Sequence, residues 1–182
     1  MTINYPDFVD TKNIDENGNT TYRYSLSIPF TNPKGQKGKL FVILKNPSKA
    51  TSQNADVTVS KVCYVAYNNG YSSVTIFNLF PLRATDATEL INFFNSSNYS
   101  SEFSKNLDII VAATNNNDVL FAWGTNTISD KDKYKAIYDN AIANLINSIA
   151  PSNKFYVGSR NKDGYPLHGQ CWSHNAGLLV YV

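Results

Sequence analysis

The most prominent feature of the hydrophobic pattern is a short apolar run, Phe41-Val-Ile-Leu44, that leads directly into the polar turn Lys45-Asn-Pro-Ser48. A run of this length and composition is typical of a strand that is covered on both faces. Pro47 cannot donate to a sheet ladder, and it favours extended backbone at Asn46. We therefore expect Asn46 and Ser48 at the carboxyl end of a central strand, where open α/β sheets bind their ligands.

Apolar and polar positions alternate from Tyr22 to Pro29, which predicts a strand with one buried face. The turn Asn32-Pro-Lys-Gly35 separates it from Gly38–Leu44, the strand that contains the apolar run. Because a short turn between two strands favours antiparallel pairing, we predict an N-terminal antiparallel hairpin at one side of the sheet. Residues 1–19 are mostly polar and are expected to be extended or loosely packed.

Strands and helices alternate through the rest of the chain, which predicts a mostly parallel sheet with helices on both faces. Asp56 is placed to cap the first helix, and Thr85 or Asp86 is placed to cap the second. In chain order, the predicted elements are a helix from Asp56 to Asn69, a strand at Val74–Phe77, helices at Thr88–Phe94 and Glu102–Thr114, a strand at Val119–Trp123, a long helix from Asp130 to Pro151, a strand at Lys154–Val157 and an edge strand at Leu178–Val182. The prediction is one α/β domain over residues 1–182, built as a three-layer sandwich.

The composition indicates a folded protein without a strongly charged surface. At 182 residues, with 42% hydrophobic and 13% aromatic residues, the chain can bury a sizeable core. A net charge of +2 gives little support for binding to duplex nucleic acid. No apolar run approaches the ~20 residues of a membrane span, and the N-terminus lacks a secretion pattern, so we expect no membrane association and a cytoplasmic location. The abundance of Asn, Lys, Ile and Tyr is typical of a low-GC genome, such as that of a phage.

No strong catalytic or metal-binding motif is present. Cys63 and Cys171 are far apart and match no zinc or redox spacing. The chain also lacks a nucleophile elbow, a phosphate-binding loop and a dinucleotide fingerprint. We expect no metal and no cofactor, and the oligomeric state is left open.

Four polar or glycine-bearing segments follow predicted strands: Asn46–Ser48, Asn78–Arg83, Trp123-Gly124 and Arg160–His168. Because the carboxyl ends of parallel strands lie on one edge of a sheet, we expect these segments to meet in one crevice. The candidate catalytic residues are Asn46, Asp56 and His168, and the candidate ligand-binding residues are Ser48, Asn78, Phe80, Arg83, Trp123, Gly124 and Arg160.

Several of these side chains also have a purely structural interpretation. Asn46 can bond its own turn instead of a ligand, Ser48 can cap a turn, and Asp56 can be a helix cap instead of a base. His168 lies in a turn rather than on an apolar face, where it could serve as an acid, a base or a donor near neutral pH.

The other candidates are open in the same way. Asn78 ends an apolar strand, so its amide either holds the neighbouring loop or reads the polar edge of a ligand. Arg83 can hold a phosphate or carboxylate through two hydrogen bonds, or it can form an ion pair with Asp86. Trp123 is either a stacking platform or a core residue.

Six sequence blocks occur in the order of a known family pattern: Leu44-Lys-Asn-Pro-Ser-Lys-Ala50, Asn54-Ala-Asp-Val-Thr58, Gly70-Tyr71, Asn78-Leu-Phe-Pro-Leu-Arg-Ala-Thr-Asp86, Ala122-Trp-Gly124 and Gly164-Tyr-Pro-Leu-His168. They resemble the uncharacterised family called domain of unknown function 1643. Its pattern is roughly Leu-Asn-Pro-Ser-x-Ala, Asp-x-Thr, Asn-Leu-Phe-x-Leu-Arg-Ala-Thr-Asp, Ala-Trp-Gly and Gly-x-Pro-x-His-Pro. The resemblance runs from about residue 22 to 172, and the family's His-Pro is His168-Gly169 here.

Asn46-Pro47, Asn78, Trp123-Gly124 and His168 also follow one another in an order that resembles, more distantly, the uracil-DNA glycosylase fold. In that fold, a first strand ends in a loop with Asn-Pro, a later strand ends in an Asn that reads the base, another ends near Trp-Gly, and a final loop carries a His. The resemblance implies that Asn46 positions a water, Asn78 reads a base edge and His168 stabilises developing negative charge.

We therefore expect binding of a nucleotide- or nucleobase-like ligand, with or without its hydrolysis, in the crevice at the strand ends. The alternative is a non-catalytic module that sequesters a nucleotide or contacts a partner protein. The third hypothesis is a glycosylase that acts on a base flipped out of DNA. If the site is catalytic, the enzyme is a hydrolase or glycosylase acting on a nucleobase-containing substrate.

Overall fold

The computed structural model describes residues 2–84, 86–125 and 131–182, and the side chains of residues 131–133 lie outside the description. Its strands are β1 (Thr2–Ile3), β2 (Asp15–Gly18), β3 (Arg23–Pro29), β4 (Lys37–Leu44), β5 (Ala55–Asp56), β6 (Tyr71–Asn78), β7 (Asp118–Phe121), β8 (Asn153–Val157) and β9 (Leu178–Val180). Its helices are α1 (Val57–Asn68), α2 (Ala87–Phe94), α3 (Tyr99–Thr114) and α4 (Lys131–Ser148). No helix among the described residues is both long enough and apolar enough to cross a bilayer.

Seven of these strands form one mixed sheet, in the order β2-β3-β6-β4-β7-β8-β9. The four central strands β6, β4, β7 and β8 are parallel to one another. The pairs β2–β3, β3–β6 and β8–β9 are antiparallel. The α/β class is confirmed, whereas the prediction of a mostly parallel sheet holds for its centre only.

The predicted hairpin of Tyr22–Pro29 with Gly38–Leu44 is wrong, because β6 lies between β3 and β4. Ile76 of β6 faces Leu26 of β3 on one side and Val42 of β4 on the other. The second half of β4 is apolar at every position, and such a strand takes the centre of a sheet, where both of its faces are covered. An N-terminal antiparallel pair does exist, but it is formed by β2 and β3.

Two element boundaries differ from the sequence prediction near the site. Helix α3 begins at Tyr99 instead of Glu102, three residues earlier than predicted. Strand β7 ends at Phe121 instead of Trp123, so the Trp-Gly pair belongs to the loop that follows the strand.

Aspartate side chains begin the first two helices, as predicted. Asp56 accepts a hydrogen bond from the N–H of the third residue of α1, at 2.8 Å. Asp86 forms a reciprocal capping box with Glu89 at the start of α2. A side-chain cap of this kind contributes about 1 kcal/mol. The alternative cap Thr85 and the cap predicted at Asp130 fall outside the described residues.

The sheet separates two apolar clusters. Helix α1 contributes to the cluster on one face, together with Leu40 and Val42 of β4. Helices α2, α3 and α4 contribute to the cluster on the other face, together with Phe41 and Ile43. Neighbouring residues of β4 thus point to opposite faces, as the strand period requires. Because both faces of β4 are covered, polar chemistry can begin only where the strand ends.

The N-terminal segment packs on the same side as α1. Strand β1 pairs with β5 in antiparallel orientation. Tyr5 and Val9 are buried in the cluster that contains α1. Tyr5 Oη also donates to the carbonyl oxygen of Thr51 at 2.6 Å. The segment therefore holds the loop that follows β4, which carries several of the candidate residues.

Candidate functional site

A cavity of about 450 Å³ lies at the carboxyl ends of β4 and β7. Its wall is formed by the turn after β4, the loop after β7, the first turns of α1 and α2, and the short turn at residues 168–171. The parallel arrangement of the central strands, on which the predicted crevice depends, is confirmed. The lining residues are Lys45, Asn46, Ser48, Thr58, Ala84, Asp86, Ala87, Leu90, Trp123, Thr125, His168, Gln170 and Cys171.

The turn after β4 places Asn46 at the cavity wall. Asn46 Nδ2 donates to the carbonyl oxygen of Ala84 at 2.7 Å and to that of Pro47 at 3.2 Å. Both bonds use Nδ2, so Oδ1 remains as the acceptor for a ligand or a water. Asn46 thus holds the segment before α2 and lines the cavity at the same time.

Ser48 connects the cavity to the buried carboxylate of Asp56. Ser48 lines the cavity, and its Oγ donates to Asp56 Oδ2. Asp56 is only 8% exposed, and its other oxygen accepts the N-cap bond of α1 from Val59. Asp56 is not among the lining residues. Its carboxylate therefore acts on the cavity through the Ser48 hydroxyl, and it is a helix cap as well.

Arg23 on β3 does not line the cavity but contacts the loop that follows β4, and the sequence pattern missed this role. Its side chain is 0% exposed, Nη1 donates to the Ala50 carbonyl at 2.6 Å, and Nε has no hydrogen-bond partner among the described residues. Burial lowers the pKa of Arg23 to about 10, while the Asp56 carboxylate favours the charged form, so the guanidinium is charged at neutral pH. Arg23 and Asp56, both among the described residues, form no ion pair with each other, so the carboxylate acts on the guanidinium over a longer distance. Each residue contacts the loop that follows β4, Arg23 at Ala50 and Asp56 at Ser48.

His168 lines the cavity as an uncharged ring. Its Nδ1 accepts a hydrogen bond from the N–H of Gln170 at 3.2 Å. Burial and the Lys45 ammonium lower the pKa of His168 to about 4, against the opposing effect of Asp56. At neutral pH the ring proton is therefore on Nε2, because Nδ1 acts as the acceptor. Of the roles expected from the sequence, this arrangement favours that of a hydrogen-bond donor.

Lys45 is a second residue that the sequence reasoning missed, although it stands directly before Asn46. Its Nζ donates to the carbonyl oxygen of Thr125 in the loop after β7, at 3.0 Å. Burial lowers the pKa of Lys45. Lys45 joins the turn after β4 to the loop after β7 and brings an ammonium to the cavity wall.

Gly124 determines how close His168 can come to the end of β7. Its φ is +72°, and a Cβ built on it would lie 2.7 Å from the Cβ of His168. The Tyr138 hydroxyl donates to the Gly124 carbonyl at 2.8 Å and fixes the loop from the side of α4. The glycine is required both by the backbone conformation and by the contact.

Replacing Gly124 with alanine is expected to destabilise the protein by about 2 kcal/mol, because a positive φ costs a non-glycine residue about 1–3 kcal/mol. The new methyl group would also displace His168. Urea unfolding measures the first effect, and the NMR shifts of the His168 ring measure the second. Gly164→Ala is the matched control, since Gly164 has a φ of +82° and no atom within 4 Å of a built Cβ. Unshifted His168 resonances in Gly124→Ala would refute the positioning role.

Asn78, Phe80 and Trp123 lie in the core beside the cavity. Asn78 is 0% exposed, and neither its Nδ2 nor its Oδ1 has a partner among the described residues. Trp123 is also 0% exposed; it lines the cavity, and its Nε1 likewise has no described partner. Phe80 packs edge to face on Phe94 at 4.8 Å. Asn78 and Phe80 are not among the lining residues. Of these three residues, Trp123 alone takes part in the cavity wall.

The two candidate arginines turn away from the cavity. Arg83 pairs with Glu16 of β2 through Nη2, and its Nε donates to the Asn19 carbonyl at 3.0 Å, so its ion pair is not with Asp86. Arg160 lies over the Tyr181 ring at 4.3 Å. Neither side chain lines the cavity.

Three further lining residues, Thr58, Ala84 and Asp86, belong to the sequence blocks that resemble the family pattern, although none of them was singled out as a site residue. Ala87 in the first turn of α2, and Gln170 and Cys171 shortly after His168, belong to no such block. Proximity to a predicted strand end or helix cap is the one property that they share with the candidates. Among the described residues, no three His, Cys, Asp or Glu side chains are grouped as ligands of a metal ion.

A family model described as protein of unknown function (DUF1643) matches residues 23–169. The chain belongs to the DUF1643 family. The matched region begins at the buried Arg23 and ends one residue after His168. It therefore contains all the residues that line the cavity except Gln170 and Cys171. No curated protein and no solved structure matches the chain. The sequence resemblance to this family is thereby confirmed.

Proposed function

We propose that this DUF1643 protein binds a nucleotide- or nucleobase-like ligand in the cavity at the strand ends. The observation that carries the proposal is the composition of the wall, which combines the Lys45 ammonium, the Asn46 amide and the neutral His168 ring with the apolar Leu90 and Trp123. Cavities that bind small molecules measure roughly 300–1,000 Å³. A volume of about 450 Å³ is within that range.

An anionic group of the ligand would find support at one side of this cavity. Thr58 and Ala87 lie in the first turns of α1 and α2, so the amino ends of both helices face the same space. A helix N-terminus favours negative charge, and Lys45 adds a full positive charge nearby. The carboxylates of Asp56 and Asp86, which cap α1 and α2, oppose this effect, which favours an anion placed towards Lys45.

The apolar side of the cavity would receive the base. The indole Nε1 of Trp123 can donate only, and it has no partner among the described residues. A ligand with an acceptor on its ring edge would satisfy that group. The Asn78 amide at the end of β6 is also buried, but it does not line the cavity, so a ligand would reach it only from a deeper position.

We further propose the uracil-DNA-glycosylase-like arrangement, a three-layer sandwich, as the finer description of this fold. Its support is the order of Asn46, Asn78 and Trp123 at or just after the ends of β4, β6 and β7, with His168 following in the turn at 168–171. The two clusters on opposite sheet faces also support it. In this description, Asn46 Oδ1 would position a water and His168 Nε2–H would donate to developing negative charge.

Binding without turnover is the form of the proposal that the site supports best. Asp56, the candidate base, does not line the cavity, and His168 is uncharged with its proton on Nε2. A strong general base with direct access to the cavity is therefore not among these two residues. Sequestration of a nucleotide fits this arrangement, and hydrolysis or base excision would have to use Asn46 and Ser48 with a bound water.

The proposal predicts a thermal shift with one class of compound in a panel of nucleobases, nucleosides, mono-, di- and cyclic nucleotides, NAD-related compounds and short uracil-containing single strands. A ligand at 100 times its Kd stabilises the protein by about 2.7 kcal/mol. The shift should be lost in Asn46→Ala and reduced in His168→Gln, while Arg160→Gln, which alters a side chain outside the cavity, should keep it.

Chromatography of the incubated hit then separates sequestration from hydrolysis, and release of free uracil from the single strands would identify a glycosylase. If no compound shifts the transition while all variants fold normally, the nucleotide proposal is rejected. A hit that survives in Asn46→Ala would place the ligand elsewhere on the protein.

A further inference from the structure

A second cavity, of about 330 Å³, lies at the other end of helix α1. The first cavity meets α1 at Thr58, the second residue of the helix, whereas the second cavity meets it at Tyr64, Tyr67 and Asn68. The two cavities have no described lining residue in common. A ligand in the second cavity would therefore occupy a different place from a ligand in the proposed nucleotide site.

Aromatic rings form most of the wall of the second cavity. Phe8 stacks on Tyr67, with 4.0 Å between ring centres and 13° between ring planes. His174 stacks on Tyr64 in the same manner, at 4.1 Å and 16°. Phe8 also meets Tyr64 edge to face at 5.2 Å. The rings hold one another in place, so they form a preformed aromatic wall for another flat ring.

Lys34 determines which charge the cavity favours. Its Nζ lies 5.1 Å from the centre of the Tyr67 ring and donates to Asn68 Oδ1 at 2.6 Å. No acidic residue is present among the described residues that line this cavity. Because an ammonium has three donor hydrogens, Lys34 can bind an anion while it keeps its bond to Asn68.

Asn68 connects the two sides of the cavity. Its Nδ2 donates to the carbonyl oxygen of His174 at 2.9 Å and to Asn175 Oδ1 at 3.0 Å, while its Oδ1 accepts from Lys34. One amide thus orients the cation and anchors the segment that carries the stacked imidazole. This arrangement sets the distance between the charged and the aromatic parts of the wall.

We propose that the second cavity is a small-molecule site for a planar aromatic compound that carries an anionic group. The ring of the ligand stacks against the aromatic wall at Tyr64 and His174, and its anionic group binds the Lys34 ammonium. The combination of a flat aromatic surface, one ammonium and no described carboxylate selects this class over cationic and over purely aliphatic compounds.

The test uses 2-naphthoate as the probe and neutral 2-naphthamide as its analogue, titrated into the ¹⁵N-labelled full chain. Saturable shifts are expected at the amides of Lys34, Asn68 and His174. Lys34→Gln should weaken 2-naphthoate about fivefold and leave 2-naphthamide unchanged, since an exposed charge contributes on the order of 1 kcal/mol. His174→Ala should weaken both probes about threefold or more through lost stacking.

Lys37→Gln is the matched control, because Lys37 also lies over a tyrosine ring, Tyr71, at 5.0 Å but does not line the cavity. It should leave both affinities unchanged. Equal effects of Lys34→Gln on the two probes would overturn the assigned charge preference. Shifts confined to the first cavity, or no saturable shift near His174, would overturn the site itself without affecting the nucleotide proposal.

Discussion

The substitution Asp56→Ala is expected to lower the free energy of unfolding by about 3 kcal/mol, as measured by urea denaturation followed by circular dichroism. Asp56 Oδ1 accepts the N-cap bond of α1, and Oδ2 accepts the bond from Ser48. Its carboxylate also favours the charged form of the fully buried Arg23 guanidinium, without an ion pair between these two described residues. Removal of the carboxylate leaves one buried and one partly buried donor without an acceptor, and the loss of its attraction for Arg23 adds to that cost.

Asp86→Ala is the matched control for this prediction, because Asp86 caps α2 in the same way but is exposed. We expect it to cost about 1 kcal/mol, the usual contribution of an N-cap. The Asp56→Asn variant separates the contribution of the charge from that of the cap, since the amide oxygen can still cap α1 while the charge is lost. If the Asp56→Ala and Asp86→Ala variants lose the same free energy of unfolding, Asp56 acts only as a helix cap, and other groups stabilise the charge of Arg23.

The centre of the fold could be predicted from the sequence because it depends on local composition. Phe41–Leu44 has no polar position, so it could only be a strand with both faces covered, and β4 is that strand. The neighbours of β4 are not encoded locally. The short turn at 32–35 suggested a hairpin, but β6 pairs with both β3 and β4 through contacts that join distant parts of the chain.

The candidate site was predictable to the extent that backbone position determines it. Asn46, Ser48 and His168 have short side chains directly after strand ends or in the final turn, and all three line the cavity. Arg83 and Arg160 follow strand ends too, but their long side chains reach Glu16 and Tyr181 instead. Sequence position restricts where a short side chain can lie far more than where a long one can.

The burial of Arg23 could not be predicted from the sequence pattern. The alternation from Tyr22 to Pro29 assigned Arg23 to the exposed face of a strand, yet it is completely buried. Hydrophobic periodicity predicts the burial of apolar residues, and it cannot predict the burial of a cation that distant parts of the chain stabilise inside the protein. The partners that make this burial possible, Ala50 and Asp56, are far along the chain.

The stability of the protein is expected to fall by about 3 kcal/mol between pH 6.5 and pH 4 because of His168 alone. Burial and the Lys45 ammonium lower the pKa of His168 in the folded state to about 4, from an ordinary value of 6.5. Between these two pH values, the unfolded chain binds a proton that the folded chain does not, so protonation favours unfolding. The contribution is fully present above pH 6.5 and is lost as the pH decreases towards 4.

The variant His168→Gln tests this assignment, since glutamine can still accept the N–H of Gln170 but does not titrate. The free energy of unfolding of the wild type should decrease more steeply than that of the variant from pH 6.5 to 4, by up to about 1.4 kcal/mol per pH unit. An NMR titration of the imidazole resonances gives the folded-state pKa directly. Parallel pH profiles, or a His168 resonance that titrates near 6.5, would show that the ring is charged in the folded protein at mildly acidic pH. The donor role proposed for Nε2–H would then have to be assigned to an imidazolium, with ligand affinity rising below pH 6.5 for an anionic compound.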